Sequence, residues 1–341
     1  MLAILLAAAQ ATAPAAPGAF PPTPSAIVAA AEPAEWVTIA PDDLLVMELA
    51  PDAAGRPRRV VIQLIAPPFS QGWVANIRTL ARAHWWDGTA VTRVQDNYVA
   101  QWGDPDGDTP KAKPLPAGLT RMKEDAYTVA SDKVLGAPNT DLPGAPVKAT
   151  FNSVEAIMRS VNADWAAAYH KAGLGAASLR DSYAAVTGVR RGWPVAIGDG
   201  DGQVWPVHCY GTVGVGRDLS PDTGTGAELY AVIGHAPRHL DRNIAVVGRV
   251  VEGIENLSSL PRGTGPLGVY ATPGERTAIR SVRLASELPQ AERPRLQYLS
   301  TEGPSFAAYA NARANRRDAF FIQPAGGVDV CNVPVPVRRA P

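Results

Sequence analysis

Two short apolar runs, DLLVMEL over 43–49 and RRVVIQLI over 58–65, flank the Gly- and Pro-containing segment APDAAGRP. Runs this short, rich in Val, Ile and Leu and parted by turn formers, predict a β-hairpin. The period then changes. In SQGWVANIRTLARAH (70–84), Val74, Ile77, Leu80 and Ala81 recur at helical spacing, which predicts an amphipathic helix with Ser70 as N-cap. GTAVTRVQDNYVAQW returns to strand character, and ELYAVIG (228–234) and IAVVGRVV (244–251) repeat it further on. Between Gly103 and Val207 the spacing predicts two more helices. NSVEAIMRSVNADWAAAYH opens with Asn152 and Glu155 in a capping-box arrangement and sets Val154, Met158, Val161 and Trp165 on one face. SLRDSYAAVTGVR opens similarly, with Ser178 and Asp181. A final helix, SFAAYANARANRR, lies in the tail that starts near Pro289. Many short strands with few helices predict an antiparallel sandwich or barrel rather than a doubly wound sheet.

The N-terminus changes the picture. Leu2 to Ala9 is an apolar run followed by the A-x-A patterns Ala9-Gln10-Ala11 and Ala11-Thr12-Ala13, which predicts an export signal over 1–13. The run is too short to span a bilayer, which needs about 20 apolar residues, so stable membrane insertion is not expected. Residues 14–34 are rich in Ala and Pro and read as a flexible linker. The protein is therefore expected in the periplasm or otherwise exported. Its two cysteines, Cys209 and Cys331, can pair in an oxidising compartment or stay as two buried thiols, and the sequence leaves both open.

Hydrophobic residues make up 46% of the 341, which is enough to fill a sizeable core. Lys+Arg and Asp+Glu both number 32, a net charge of +0 that argues against nucleic acid as a partner, because phosphate binding needs a basic excess or stripe. There is no G-x-x-x-x-G-K, H-E-x-x-H or G-x-S-x-G. DPDGD (104–108) begins like a calcium loop, but Thr109 stands where Gly is needed and Leu115 where Glu is needed. The histidines (His84, His170, His208, His235, His239) lack zinc-ligand spacing. No metal or other cofactor is expected.

The stretch APPFSQGWVANIRTLARAHWWDGTAVTRVQDNYVAQWGDPDG carries, in order, Pro67 or Pro68, Asn76, Leu80, Asp87-Gly88, Arg93, Tyr98, Gln101 and Gly103-Asp104-Pro105-Asp106-Gly107. It resembles the cyclophilin pattern A-P-x-T-V-x-N-F-x-x-L, D-G-x-x-F-H-R-V, F-x-x-Q-x-G-D-P-x-G. A second stretch, GTVGVGRDLSPDTGTGAELYAVIGHAPRHLDRNIAVVGRVVEGIENL, resembles that family's P-D-S-G-G-S-Q-F-F-I and L-D-x-x-x-x-V-F-G-x-V blocks. Together the blocks cover roughly 45–108 and 208–260. The resemblance implies a mostly β fold: a closed eight-stranded antiparallel β-barrel capped by two helices. The cyclophilin-like domain would run over 35–288 with a long, partly helical insertion at about 108–207, followed by a C-terminal extension over 289–341. It also implies a peptidyl-prolyl cis-trans isomerase whose partners are proline-containing segments of folding proteins. Arg93 would then donate a hydrogen bond to the prolyl nitrogen, and Gln101 would hold a substrate carbonyl. Tyr98, Val99, Tyr230 and Leu240 would form the proline pocket, with Glu228 and His239 beside it.

Several positions depart from the family. Glu228 stands for the Gln of S-Q-F-F and Leu229 for the first Phe; His239 stands where Trp is common; Ile244 replaces a ring-bearing residue; and Trp102 replaces a Gly beside Gln101. A carboxylate accepts hydrogen bonds but cannot donate as an amide does, and it could pair with Arg93 and divert it. The alternative expectation is thus a weakly active or inactive peptide-binding module, or a structural envelope protein, on the same barrel.

Overall fold

The computed structural model describes residues 20–135, 181–198 and 202–341. In chain order, α1 (Pro24–Ala29) and β1 (Trp36–Thr38) precede the hairpin of β2 (Leu44–Leu49) and β3 (Arg58–Leu64). Helix α2 (Gln71–Arg82) leads into β4 (Ala90–Val94) and β5 (Val99–Gly103). Next come β6 (Val129–Ala130), α3 (Ser131–Leu135), β7 (Val186–Arg190), β8 (Trp193–Ile197) and β9 (Gln203–Pro206). The chain continues through β10 (Thr212–Val215), β11 (Leu229–Val232), β12 (Val246–Glu252), α4 (Glu255–Ser258), β13 (Thr277–Leu284), β14 (Leu296–Leu299), α5 (Pro304–Ala314) and β15 (Val337–Arg339).

Eight strands close into a barrel in the order β10-β11-β5-β4-β13-β2-β3-β12. Every neighbouring pair in it is antiparallel, as the resemblance implies. The first hairpin pairs Leu44 with Gln63 through Leu49 with Arg58. Helix α2 lays Trp73, Val74, Ile77, Leu80 and Ala81 into the barrel core, all essentially without solvent contact. The apolar stripe read from the sequence is therefore the packed face. Ser70 does precede the helix, but it sits in the left-handed region (φ 52°) and its side chain does not cap.

The described part of the 108–207 stretch is a four-stranded sheet, β6-β9-β8-β7, with the single-turn α3. This corrects the helix expected over 178–190, because Val186–Arg190 is a strand. Three β-branched residues (Val186, Thr187 and Val189) favour the pleat. A two-residue turn closes the hairpin: Arg190 pairs with Trp193, and both Arg191 (φ 50°) and Gly192 (φ 82°) have the left-handed backbone that such tight turns require. The other expected helix, over 152–170, lies outside the described residues. The sheet is buried on both faces. Val195 and Ile197 join the barrel core, whereas Ala196 and Trp205 join a second cluster with Trp36, Leu299, Phe306 and Tyr309. It forms a middle layer between barrel and tail.

The tail adds a further sheet, β1-β14-β15, in which Trp36 pairs with Leu299. Within the stretch read as linker, α1 is a helix opened by Thr23, whose hydroxyl accepts from Ala26 N at 3.2 Å, and its Ile27 and Val28 pack on the same cluster as Phe306. Among the described residues no helix is long and apolar enough to cross a membrane. Of the two options open for the cysteines the structure shows the pair: Cys209, just ahead of β10, is bonded to Cys331, 122 positions away in the tail.

A bond closing so long a loop constrains the unfolded chain, an effect worth roughly 2–5 kcal/mol. Reduction, or Cys331→Ser, is expected to lower the thermal midpoint by about 3–7 °C. Differential scanning calorimetry with and without reductant measures it.

Candidate active site

Strand pleating decides which side chains can form a site. On β5, Ala100 and Trp102 point into the barrel core, and Val99 and Gln101 point out. Trp102 is 1% exposed inside the barrel, so the residue that replaces Gly beside Gln101 does not obstruct the outer face. Arg93 on β4 and Tyr230 on β11 both pair in register with Gln101, which brings the three outward side chains together across adjacent strands.

The half-buried guanidinium of Arg93 is held from three sides. Its Nε donates to the Leu267 carbonyl at 2.7 Å, Nη1 donates to Gln101 Oε1 at 3.1 Å, and Nη2 donates to Gln95 Oε1. Its Cζ lies 5.5 Å from the centroid of the Tyr98 ring. A guanidinium carries five N–H donors, so these three bonds fix its plane and leave donor capacity at its edge. Burial lowers the Arg93 pKa, while the Tyr98 and Glu228 charges pull the other way.

Gln101 links the Arg to the departing carboxylate. Its Nε2 donates to Glu228 Oε1, and its Oε1 accepts from Arg93. The amide orientation follows from chemistry, since a carboxylate only accepts and a guanidinium only donates. Gln101 thus stands between Glu228 and Arg93, and no Arg93–Glu228 ion pair forms among the described residues. Glu228 sits in a slot made by two glycines, where a Cβ on Gly216 would lie 2.8 Å from its Cγ and one on Gly103 3.3 Å away. Glu228 is exposed, yet the wall around the carboxyl strips enough water to raise its pKa; the Gln101 hydrogen bond opposes this, the Asp108 charge adds to it and Arg93 opposes it.

Beside this polar rim lies an apolar floor. Val99, Tyr230 and Val232 are buried together, with Tyr98, Leu240 and Ile244 packed against them. The exposed His239 ring stacks on Tyr98 at 6.3 Å and 13°, forming a lip with Leu240. Tyr230 lies flat because its neighbour on β10 is Gly214: a Cβ there would come within 2.3 Å of the Tyr230 hydroxyl. All eight residues singled out in the sequence (Arg93, Gln101, Tyr98, Val99, Glu228, Tyr230, His239 and Leu240) therefore meet on one face. The site is an open shelf. A cavity of about 320 Å³ lies elsewhere, between the barrel, the middle sheet and the disulfide, lined in part by Arg249 and Cys331.

Sequence reasoning missed the supports. Leu267 and Gln95 fix Arg93 through hydrogen bonds that no motif encodes. His208 and Asp241 lie beneath Tyr230; Asp241 is the Asp of the family's L-D block, and a second signal was a tyrosine where the pattern has Phe, since a buried hydroxyl needs a partner.

A family model for cyclophilin type peptidyl-prolyl cis-trans isomerase/CLD matches residues 72–283, and the chain belongs to that family. A stretch of 75 residues is 39% identical to the peptidyl-prolyl cis-trans isomerase CYP23 of Arabidopsis thaliana. That match covers 22% of this chain and spans only 32% of the relative's length. Cyclophilin AquaCyp293 of Hirschia baltica superposes with a TM-score of 0.58 at 22% identity, covering 89% of this chain and 92% of the other, a likeness of fold.

The raised Glu228 pKa makes a stability prediction. The folded state holds this proton more tightly than the unfolded state, so between the two pKa values it binds more protons and this group's contribution to stability falls as pH rises. The gain in thermal midpoint of Glu228→Gln over wild type should therefore grow from about pH 4 to pH 7. Parallel thermal melts across that range test it; a constant offset contradicts the raised pKa.

Proposed function

We propose that this chain is a peptidyl-prolyl cis-trans isomerase acting on proline-containing segments of exported proteins, with Arg93 as the catalytic donor. The observation that carries the reading is the placement of a three-point-anchored guanidinium at the rim of an apolar shelf floored by Tyr230. Rotation about an X-Pro bond must break amide resonance, at a barrier of about 18–20 kcal/mol. No nucleophile or proton transfer is required. In the planar amide the prolyl nitrogen is a poor acceptor; at the twisted midpoint it regains a lone pair. A donor fixed at that position binds the transition state more strongly than either ground state. Arg suits this role because its charge persists at any working pH and its fork is rigid. The pyrrolidine ring packs on Val99, Tyr230 and Leu240, and Gln101 holds a neighbouring substrate carbonyl.

Two observations support an exported setting: the short apolar run with A-x-A patterns at the N-terminus, and the Cys209–Cys331 bond, since disulfides persist in oxidising compartments.

One contact favours a second reading. Gln101 already spends an amide N–H on Glu228, which weakens its hold on a substrate carbonyl and suits a peptide-binding or chaperone module of low turnover. Isomerisation of a chromogenic Pro-containing tetrapeptide separates the two. A well-placed donor is worth ~3–4 kcal/mol, so Arg93→Ala should lower kcat/KM by ~100–1,000-fold, with Arg93→Lys failing to restore it. Equal rates for wild type and Arg93→Ala, with peptide still bound, would leave only the binding module.

A further inference from the structure

Beneath the shelf runs a chain of buried polar groups that the isomerase chemistry does not call on. The Tyr230 hydroxyl lies 2.9 Å from His208 Nε2, and His208 Nδ1 lies 2.9 Å from Asp241 Oδ1. The same carboxylate oxygen accepts from the His208 backbone N at 3.0 Å. Asp241 Oδ2 accepts from Arg238 Nε at 2.7 Å, and Arg238 reaches Asp181 with both terminal nitrogens, at 2.7 and 2.8 Å. His208 has no solvent exposure, Tyr230 and Arg238 have 4% each, and Asp241 has 6%.

We propose that His208 is a positioning residue for the proline pocket, pinning the Tyr230 ring through its hydroxyl and thereby setting how tightly the shelf holds proline. The proposal rests on the isomerase reading and adds what shapes its pocket. Three observations carry it. First, Tyr230 is a tyrosine in a family pattern that has Phe, and its hydroxyl is spent on His208 rather than on the open face. Second, the His208 and Tyr230 rings lie nearly parallel, 14° apart with centroids at 6.3 Å, so the hydrogen bond runs along both rings and fixes the tilt of the floor. Third, Arg238 and Asp241 bracket His239 and Leu240, the pocket lip, so one set of bonds holds floor and lip together.

Imidazole suits this position because its two nitrogens face opposite ways. The Asp241 carboxylate can only accept, so Nδ1 carries a proton; in the singly protonated ring, Nε2 then accepts from the Tyr230 hydroxyl. Burial raises the Tyr230 pKa well above its ordinary value, which keeps that hydroxyl a donor. Asp241 tolerates its burial because His208 and Arg238 outweigh the lost water, and its pKa falls. Asp181, at the start of the segment leading into β7, ties the pocket lip to the middle sheet.

The test is a cycle of Tyr230→Phe, His208→Ala and the double variant, read by kcat and KM on the tetrapeptide and by calorimetric affinity for the same peptide. Loss of one buried hydrogen bond should weaken peptide binding and raise KM by about 3- to 10-fold in each single variant. The expected kcat stays within about 2-fold, because Arg93 is untouched. In the Tyr230→Phe background, removing His208 should add less than it costs in wild type, the remainder being its hold on the lip through Asp241. Additive effects, a fall confined to kcat, or unchanged affinity in Tyr230→Phe would each overturn the proposal. Should His208→Ala not fold, the Tyr230→Phe affinity decides alone. A hydroxyl proton resonance of Tyr230, slow to exchange in wild type, reports the bond without turnover; its absence counts against the pinning. Failure of the isomerase reading looks different, since Arg93→Ala would then match wild type while the Tyr230 resonance persists.

Discussion

The two-residue period of a β-strand, imposed on a wall whose inner face is packed solid, is the constraint from which the rest follows. Barrel strands alternate between core and outer face except where the register shifts, as on β4 between Val91 and Arg93, where Val91 and Val94 both face the core and Arg93 faces out; register then decides which outward side chains become neighbours. Gln101 faces out because Ala100 and Trp102 face in. Arg93 and Tyr230 flank it because β4 and β11 pair with β5 at that residue. Shifting β5 by one position would drive Trp102 onto the outer face and bury Gln101 without a partner. The core that holds α2 against the barrel is thus also what aims the guanidinium.

The departures from the family pattern sort by the same rule. Trp102 adds bulk, but on the inner face, where it becomes core. Glu228 sits on the outer rim and matters there, yet Gln101 stands between it and Arg93, and glycines at 103 and 216 give it room. Ile244 joins the apolar floor, and His239 keeps a ring at the lip by stacking on Tyr98.

Much of this was legible from residue order. The hairpin, the amphipathic helix and the strands around Arg93, Tyr230 and Val246 follow from local periodicity, and two spaced blocks single out the eight residues that share the outer face. Less legible was the segment around Val186, where a Ser and an Asp three apart mimic a helix start while the β-branched residues and the Arg191-Gly192 turn favour a hairpin. That choice depends on burial of both sheet faces, a tertiary fact. The N-terminal stretch misled similarly: Ala and Pro suggest a linker, but Ile27 and Val28 find a partner in α5, far along the chain. The hydrogen bonds supporting Arg93 and Tyr230 join residues distant in sequence and have no local signature.

The sheet β1-β14-β15 has a consequence for how the molecule is made. Trp36 can find its strand partner only after Leu299 has been synthesised, and the second hydrophobic cluster draws on residues from both regions. Such distant pairings are slow to form, because a long loop must be closed before any contact repays it. The outer layer therefore stays unassembled until late in synthesis, and any machinery that needs an unfolded polypeptide has that interval in which to act.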